Sequence, residues 1–427
     1  MSQTKQSGNI VAIIMMVALF GMIALVTNLA APLGIVTQQQ FTLSNFSAML
    51  GNLGVFIAYA VMGIPAGIIL QRVGYKMTAL IAIAVGFAGV LIQFLGGALA
   101  ESFSIYLLGA FVSGFSMCML NTVVNPMLNT LGGGGNKGNQ LIQIGGSFNS
   151  VMATFTPAFV GILIGQVTAT TVIADVSLAL YIAMGVFALV GIVLWAVSIP
   201  EPHAEKATEP IGDLISGALQ YRHFVLGAIA IFCYVGVEVA TPGMMLFWLT
   251  DSIGPAVAGS VAGTYWFLMF IGRLGGASIA GKVPSKVLLS ITASAAMLFV
   301  LLAIILPTAT QVFMPVVQTK ASGAIGFGLA QVPINAMFLV LVGLCTSIMW
   351  GCIYNLSVEG LGKYTAIASG IFMTMVCGGG IILALQGGLR DLTGSVQTSY
   401  LLVLAGFAYL LFFALVGSKN VNKEISS

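Results

Sequence analysis

Long apolar segments recur along almost the whole chain and are separated by short polar segments. An α-helix needs about 20 apolar residues to cross the hydrocarbon core of a membrane. By that criterion the sequence predicts twelve membrane-spanning helices in two groups of six. The first group is centred on Val11–Gly34, Phe46–Leu70, Met77–Leu99, Ile105–Leu128, Leu141–Ile164 and Val176–Ser198. The second group is centred on Val225–Leu249, Val257–Ala280, Val287–Pro307, Met337–Asn355, Thr365–Gln386 and Thr398–Val416.

Composition places the chain among integral membrane proteins. Of its 427 residues, 59% are hydrophobic and only 6% are charged, whereas a soluble domain carries about 25% charged residues. The formal net charge of +3 is too small to indicate a nucleic-acid partner, and we expect none. No small-residue cleavage site follows the first apolar segment, so we expect that segment to be a retained span.

Lysine and arginine residues are unevenly distributed between the two sides of this predicted bundle. With the N-terminus placed in the cytoplasm, only Lys320 and Arg390 of the 14 basic residues fall on the outer side. Cytoplasmic segments of membrane proteins carry such an excess of basic residues. The asymmetry supports an even number of spans, and we expect both termini to be cytoplasmic.

The most polar segment of the chain, Glu201–Tyr221, separates the two groups of spans. It predicts an N-terminal half over residues 1–200, a cytoplasmic linker over residues 201–222 and a C-terminal half over residues 223–427. The halves resemble each other, since GIPAGIILQRVGYK after the second span is matched by GRLGGASIAGKVPSK after the eighth. Two parallel six-helix repeats are typical of one class of transporters, in which the substrate binds near the midplane between the repeats.

Amide side chains interrupt the apolar helices of the fourth and fifth predicted spans. Within Gly114–Ser150 they are Asn121, Asn125, Gln143 and Asn149. An amide in lipid is costly unless it faces protein, water or a ligand. This helical hairpin is therefore a candidate wall of a polar cavity, where Asn121, Gln143 and Asn149 would bind substrate hydroxyl groups. The alternative is that the amides only hold neighbouring helices together.

Glu238 is the only charged residue that the sequence places deep inside a span, near the middle of the seventh. A carboxylate at that depth is costly, so it is a candidate functional group. It could carry a proton, coordinate a coupling cation, or accept hydrogen bonds from a sugar hydroxyl. The alternative is a structural carboxyl group that neighbouring helices satisfy.

Further candidates for a substrate site are aromatic and amide residues near the middle of spans. Tyr265 and Trp266 lie within the eighth span, and Trp350 lies within the tenth. The flat C–H faces of a sugar stack on such rings, although lipid or helix packing is the commoner role of a single aromatic residue. Asn28 and Asn52 in the first two spans would complete the polar lining.

Four cations at two short cytoplasmic loops are candidate gating residues. Arg72 and Lys76 follow the second span, and Arg273 and Lys282 repeat the arrangement at the cytoplasmic end of the eighth. Such cations could meet helix C-termini or acidic groups in one conformational state only, and so act as a latch. The alternative is simple anchoring of the cytoplasmic face.

The reactive residue types give no sign of a cofactor, metal or catalytic site. The five cysteines lie in apolar segments without CxxC or His-paired spacing, so we expect free thiols that pack in the core. His203 and His223 lie in or beside the linker and indicate no metal site. The four glycines before Asn136 do not follow a strand, and GK[ST] is absent, so we expect no nucleotide site and no enzymatic activity.

Several stretches together resemble the major facilitator superfamily and, within it, the fucose–proton symporter-like family of bacterial sugar transporters. They are FTLSNFSAML, GIPAGIILQRVGYK and NP-x3-TLG through SFNS in the first half, and FCYVGVEVA, IGRLGGASIAGK and IFMTMVCGGGII in the second. The resemblance covers nearly the whole chain. It implies an all-α integral membrane protein with twelve transmembrane helices in two six-helix pseudo-symmetric halves, located in the inner membrane of a Gram-negative bacterium.

The chain departs from this family at the positions that carry protons. Proton-coupled members have one carboxylate in the first span and another in the fourth, and the matching positions here are Ala31 and Asn121. Gln71 also stands where the superfamily loop usually has an acidic residue. Glu238 is then the only intramembrane carboxyl group left for coupling, and the resemblance to hexose-type members includes a glutamate in this FCYVG-x-E context.

These observations predict a transporter that moves a monosaccharide, either a hexose or a deoxyhexose, by alternating access, with Glu238 as the candidate coupling residue. The expected partners are the sugar, a proton or other coupling cation, and membrane lipid, and we expect a monomer. The first alternative is an uncoupled facilitator or a carrier of another small polar solute. The second alternative is a membrane sensor or scaffold that does not transport.

Overall fold

The computed structural model describes residues 2–43, 45–164, 171–201, 210–319 and 325–421, without some side chains inside these ranges, including those of residues 45–52. The first seven helices are α1 (Ser2–Gln40), α2 (Asn45–Val73), α3 (Tyr75–Phe94), α4 (Phe103–Leu131), α5 (Gly135–Ile164), α6 (Ser177–Ala196) and α7 (Ile211–Leu219). The others are α8 (Arg222–Ile253), α9 (Pro255–Ile279), α10 (Ser285–Ile305), α11 (Ile334–Thr346), α12 (Met349–Ser357), α13 (Thr365–Thr374), α14 (Gly378–Thr393) and α15 (Val396–Phe412). Strands β1 (Gln311–Thr319) and β2 (Ile325–Pro333) lie between α10 and α11.

The predicted all-α membrane fold is confirmed. Among the described residues, ten helices are long and apolar enough to cross a membrane, and the bent pair α11–α12 makes eleven. The remaining predicted span, Leu141–Ile164, lies within α5, whose first half is rich in glycine and amide residues. Because α13 and α14 together form one span, the described helices account for all twelve predicted spans.

The tenth and eleventh spans are broken helices, which the uninterrupted apolar sequence did not predict. Helix α11 ends at Thr346 and α12 begins at Met349, with a bend of 42° between them. A 3-10 turn, Met375–Cys377, separates α13 from α14. Carbonyl groups next to a break lack their usual partners in the helix and must find other donors. The first break therefore offers backbone acceptors inside the membrane.

Two elements lie where the sequence predicted only connecting segments. Helix α7 occupies part of the linker, and β1 and β2 form an antiparallel hairpin from the pair Gln311–Pro333 to the pair Thr319–Ile325. Alternate strand residues point to opposite faces, and here one face is packed and the other exposed. The buried side chains are Met314, Val316, Ala330 and Val332, and the exposed ones include Phe313, Phe327 and Leu329.

The chain forms two compact units. Unit 1 comprises Met1–Leu131, Phe148–Ala218 and Leu361–Thr374, and unit 2 comprises Gly132–Ser147, Leu219–Gly360 and Met375–Ser427. Each unit thus contains most of one predicted half and a short segment of the other: the first turns of α5 belong to unit 2, and α13 belongs to unit 1. The division into two six-helix halves at residues 201–222 stays a prediction.

In unit 1, helix α13 packs against α2 along glycine residues. A methyl group placed on Gly370 would lie 2.7 Å from the Cα atom of Gly67, and one placed on Gly63 would collide with the backbone of Thr374. No larger residue fits at these positions, because glycine is what lets the two backbones approach so closely. This seam makes its contact through backbone and small side chains.

Candidate functional site

Glu238 lies in unit 2 inside a hydrogen-bonded cluster and is not an isolated carboxylate. Its Oε1 atom accepts a hydrogen bond from the Tyr234 hydroxyl at 2.8 Å and lies 3.4 Å from Nη2 of Arg273. Glu238 is only 9% exposed. Removing a carboxylate from water is costly, and a positive partner with an additional donor offsets that cost. We call Glu238, Arg273, Tyr234, Tyr265 and Thr346 the charged centre.

A proline four residues after Glu238 explains how Tyr265 joins the charged centre. Pro242 lies inside α8, and because proline has no N–H group, the carbonyl of the residue four positions earlier loses its helical donor. That residue is Glu238. The Tyr265 hydroxyl donates to the Glu238 carbonyl oxygen at 3.1 Å and lies 3.2 Å from Oγ1 of Thr346.

The break between α11 and α12 supplies three further acceptors. The carbonyl oxygen of Thr346 lies 3.2 Å from the Tyr234 hydroxyl, and that of Ser347 lies 3.3 Å from Nε of Arg273. The carbonyl of Ile348 accepts a hydrogen bond from Nε2 of Gln143 at 2.7 Å. The broken span thus links the charged centre to helix α5.

The first turns of α5 are held within unit 2 by polar contacts. Besides the Gln143 bond, Nε2 of Gln140 donates to the Ala277 carbonyl at 3.2 Å, and Nδ2 of Asn139 lies 3.5 Å from Sγ of Cys352. Nη1 of Arg273 lies 3.4 Å from the carbonyl oxygen of Gly146. We call this set of contacts the amide seam. Arg273 belongs to both the amide seam and the charged centre.

Unit 1 contains an uncharged polar cluster on α2 and α4. Nδ2 of Asn121 donates to the Tyr59 hydroxyl at 2.7 Å and lies 3.1 Å from the Met117 carbonyl oxygen. Asn125 donates to the Asn121 carbonyl at 2.8 Å. Asn121, Asn125 and Tyr59 are all buried. We call these three residues the amide centre. It occupies the position where the family resemblance implies a carboxylate.

The other predicted amides have different surroundings. Asn149 donates from Nδ2 to the Phe20 carbonyl at 2.9 Å and so ties α5 to α1 within unit 1. Asn28 donates to the Ala24 carbonyl of its own helix at 2.8 Å. Both therefore have protein partners and are half-buried. The side chain of Asn52 lies outside the described part of the chain, and its predicted role stays a prediction.

The three aromatic candidates differ in exposure. Tyr265 is fully buried, whereas Trp266, the next residue on α9, is 42% exposed. The centroid of the Trp350 ring lies 6.2 Å from that of Tyr234 in an edge-to-face arrangement. Trp350 therefore borders the charged centre, Tyr265 contributes a hydroxyl group to it, and Trp266 faces away from the buried interior of unit 2.

The four predicted gating cations also separate into different environments. Arg273 lies in the charged centre, with 13% of its side chain exposed. Nζ of Lys76 lies 2.8 Å and 2.7 Å from the carbonyl oxygens of Trp195 and Val197, at the C-terminal end of α6. Cations favour that end of a helix, so Lys76 acts as an anchor within unit 1. Arg72 and Lys282 are exposed.

Sequence reasoning missed Tyr234, Thr346 and Tyr59 as members of these clusters. Tyr234 could have been found, because it precedes Glu238 by four positions and so lies on the same face of α8. Thr346 gave no such signal, since its role depends on the helix break.

Among the described residues, no group of three His, Cys, Asp or Glu residues could hold a metal ion.

Comparison with known proteins places the chain in a family. Residues 11–384 match the model of the Major Facilitator Superfamily. The chain is 29% identical over 392 residues to a glucose/galactose transporter of Brucella abortus, covering 89% of this chain and 87% of the relative. It is 26% identical over 438 residues to the L-fucose-proton symporter of Escherichia coli, covering 95% of this chain and 92% of the relative.

Solved structures agree on the fold. The crystal structure of the transporter FucP in the outward conformation superposes with a TM-score of 0.82 at 21% identity, over 97% of this chain and 100% of that chain. The proton:xylose symporter XylE gives a TM-score of 0.68 at 14% identity, over 99% and 98% of the two chains. Because the family model matches residues 11–384, the chain belongs to the Major Facilitator Superfamily.

Proposed function

We propose that this protein is a secondary transporter that carries a monosaccharide, a hexose or a deoxyhexose, across a bacterial inner membrane by alternating access. The relatives in Brucella abortus and Escherichia coli, named for glucose, galactose and L-fucose, support the sugar class. Both units contain buried hydroxyl and amide groups of the kind that bind sugar hydroxyls. The same family assignment argues for a transporter and not an enzyme.

The amide centre is the proposed site of sugar recognition in unit 1. Asn121 can donate and accept hydrogen bonds but carries no charge, so it suits a neutral ligand. Asn28, Asn52 and Asn149 would extend that lining. In unit 2, Glu238 and the aromatic residues Tyr265, Trp266 and Trp350 are the proposed contacts, with Gln143 near them. Of these aromatic residues, Trp350 has the best support, because it borders the charged centre.

Glu238 is the proposed coupling residue, and its contact with Arg273 could link protonation to a change in structure. When Glu238 is ionised, Arg273 is held between its carboxylate and the carbonyl groups of Ser347 and Gly146. A proton on Glu238 would remove the ion pair, because a neutral acid attracts a guanidinium group far less. The contact of Arg273 with α5 would then change as well. Proton binding would thus be linked to the release of the first turns of α5 from the other elements of unit 2.

This linkage makes Arg273 the best supported of the proposed gating residues. Alternating access requires segments to part on one side of the membrane as others close. The amide seam holds the first turns of α5 in unit 2. We propose that these contacts break when the protein changes its state. Lys76 serves as an anchor in unit 1. Arg72 and Lys282 are exposed, so the described contacts give no support to a latch role for them.

The test is uptake of labelled sugar into proteoliposomes by Glu238→Gln. This change keeps the shape and most hydrogen bonds but fixes the group neutral. We expect loss of uphill, pH-driven accumulation and retention of sugar counterflow, which needs no net proton movement. The matched control is Glu359→Gln, the same change at an exposed residue, which should behave as wild type. Uphill uptake by Glu238→Gln equal to that of wild type would rule out Glu238 as the proton site.

A facilitator is the second candidate, and the ion pair itself favours it. A carboxylate that stays bound to Arg273 throughout the cycle need not exchange a proton. In that case wild-type proteoliposomes would equilibrate the sugar but would not accumulate it under a pH gradient. Glu238→Gln would then lower sugar affinity and counterflow together.

The topology of this multi-pass protein can be tested independently. We propose that both termini are cytoplasmic and that the protein works as a monomer. Cysteine introduced at Lys206 should react with an impermeant reagent only from the cytoplasmic side, and cysteine at Lys320 only from outside. Both positions lie outside the described residues. Labelling of both from one side would contradict the proposed orientation.

A further inference from the structure

The β-hairpin forms a cleft with two spans of unit 2 that no part of the proposed transport cycle uses. The cleft has a volume of about 340 Å³, which is within the usual range for a small-ligand pocket. Its walls come from β1 and β2, from α9 and from α11. The lining includes Thr264, Phe267, Phe313, Phe327, Val340 and Leu341.

The chemistry of the walls excludes recognition of a polar solute. Thr264 offers the hydroxyl group of the lining, and this group is already engaged. It donates to the Ser260 carbonyl at 2.7 Å and accepts from the backbone N–H of Val317 at 2.9 Å. In the sequence, Lys320 is the only charged residue between Pro307 and Pro333. An occupant of the cleft must therefore be apolar.

The cleft lies at the level of the bilayer. Thr264 precedes the last residue of α9, Ile279, by 15 positions, which is about 22 Å along a helix. The hydrocarbon core is about 30 Å thick, and the exposed Lys282 marks the boundary beyond Ile279. Thr264 and the part of β1 at Val317 that bonds to it are thus roughly 8 Å inside the opposite boundary, within reach of acyl chains.

The surface of the cleft continues into the surface that lipid covers. Phe267 contacts Phe327 of the hairpin, with ring centroids 5.5 Å apart. Ile271 and Leu274 follow on the same face of α9 and are 43% and 44% exposed. On the hairpin, Phe313 and Phe327 are 72% and 69% exposed. This apolar surface runs without a charged residue from the hairpin down the side of α9.

We propose that the cleft is a binding site for an acyl chain of a membrane phospholipid. The chain enters along Ile271 and Leu274, and its end lies between Phe313, Phe327 and Leu341. The Val317 N–H already has Thr264 as its partner, but the open edges of the rest of the hairpin need water or headgroups. The hairpin therefore lies at the membrane interface, with its Val317 region facing the acyl chains, and covers the bound chain. None of its lining residues belongs to the charged centre.

The experiment uses the full chain in phosphatidylethanolamine and phosphatidylglycerol vesicles that contain a phospholipid with a diazirine on one acyl chain. After illumination, adducts are mapped by mass spectrometry. We expect more adducts on β1 and on the first turns of α11 than on the exposed apolar residues Leu189 and Ile192 of α6. Leu341→Trp, which fills the cleft, should remove that excess and leave the α6 adducts unchanged.

A second variant allows the same test if Leu341→Trp folds poorly. Phe313→Gln changes an exposed residue, so this variant should keep the fold. It makes one wall of the cleft polar and should also remove the excess of lipid adducts on β1 and α11. Equal adduct densities on the hairpin and on α6 would overturn the proposal. So would the absence of lipid adducts on the hairpin together with a disulfide-linked dimer of the Phe313→Cys variant, because the occupant would then be a second copy of the chain.

Discussion

The amide centre of unit 1 and the charged centre of unit 2 solve the same problem differently. Each buries a polar side chain in the middle of a span and pairs it with a tyrosine. Asn121 meets the Tyr59 hydroxyl at 2.7 Å, and Glu238 meets the Tyr234 hydroxyl at 2.8 Å. Only the second contains charge, and only the second has an arginine within 3.4 Å.

This difference is the basis of the separate roles that we propose for the two centres. A neutral amide with a phenol partner can exchange hydrogen bonds with a sugar but has no proton to give up under physiological conditions. A carboxylate beside a guanidinium group changes its attraction for that group when it is protonated. We therefore propose sugar recognition at both centres and coupling at the charged centre alone. Variants that remove charge should differ from variants that remove amides.

The largest effect is expected for Glu238→Ala. The change leaves the Arg273 side chain, which is only 13% exposed, without the Glu238 carboxylate, and arginine cannot lose its charge in a protein. Breaking a buried ion pair from one side costs about 3–5 kcal/mol. Thermal unfolding in detergent should show the loss, and Glu238→Ala combined with Arg273→Met should recover most of it. A double variant as unstable as the single one would show that the pair is not what holds this region.

A smaller loss is expected for Arg273→Met. Glu238 would lose its partner too, but a carboxyl group can become neutral by binding a proton, and Tyr234 still donates to it. We expect about 1–3 kcal/mol, the cost of an imperfectly satisfied buried polar group. The same unfolding measurement checks the order of the two variants. If Arg273→Met were the less stable of the two, the asymmetry argued from protonation would be wrong.

In the amide centre, Asn121→Ala should weaken sugar binding more than it weakens the fold. Loss of one hydrogen bond to a neutral group costs about 0.5–1.5 kcal/mol, or about two- to tenfold in Kd. Thermal-shift titration with a panel of monosaccharides measures this, since binding stabilises the folded protein. Asn149→Ala, in the same proposed lining, should also weaken sugar binding, although Asn149 already bonds to the Phe20 carbonyl. Equal sugar affinity in wild type and Asn121→Ala would favour the helix-packing role.

The smallest effect is expected for Lys282→Ala. Lys282 is exposed, and such substitutions usually change stability by less than about 0.5 kcal/mol. Transport rates in proteoliposomes should stay near wild type, in contrast to variants of Arg273. A strong transport defect in Lys282→Ala would restore the idea that all four loop cations act as latches.

The sequence by itself determined the membrane class, the twelve spans and the position of Glu238. These properties follow from local composition, because a span needs about 20 apolar residues and a charge within it stands out. Tyr234 also followed in principle, since a spacing of four places it on the same helix face as Glu238. The family assignment rested on motifs that extend over nearly the whole chain.

Only the tertiary structure brought Arg273 to Glu238. The two residues are 35 positions apart, and the sequence pattern placed Arg273 at a cytoplasmic loop. The break at Ser347 gives Arg273, Tyr234 and Gln143 their backbone acceptors. The sequence did not predict this break, because the apolar segment could equally have formed one straight helix. Partners between helices depend on how the helices pack, and a periodic apolar pattern specifies which face is buried but not what lies opposite.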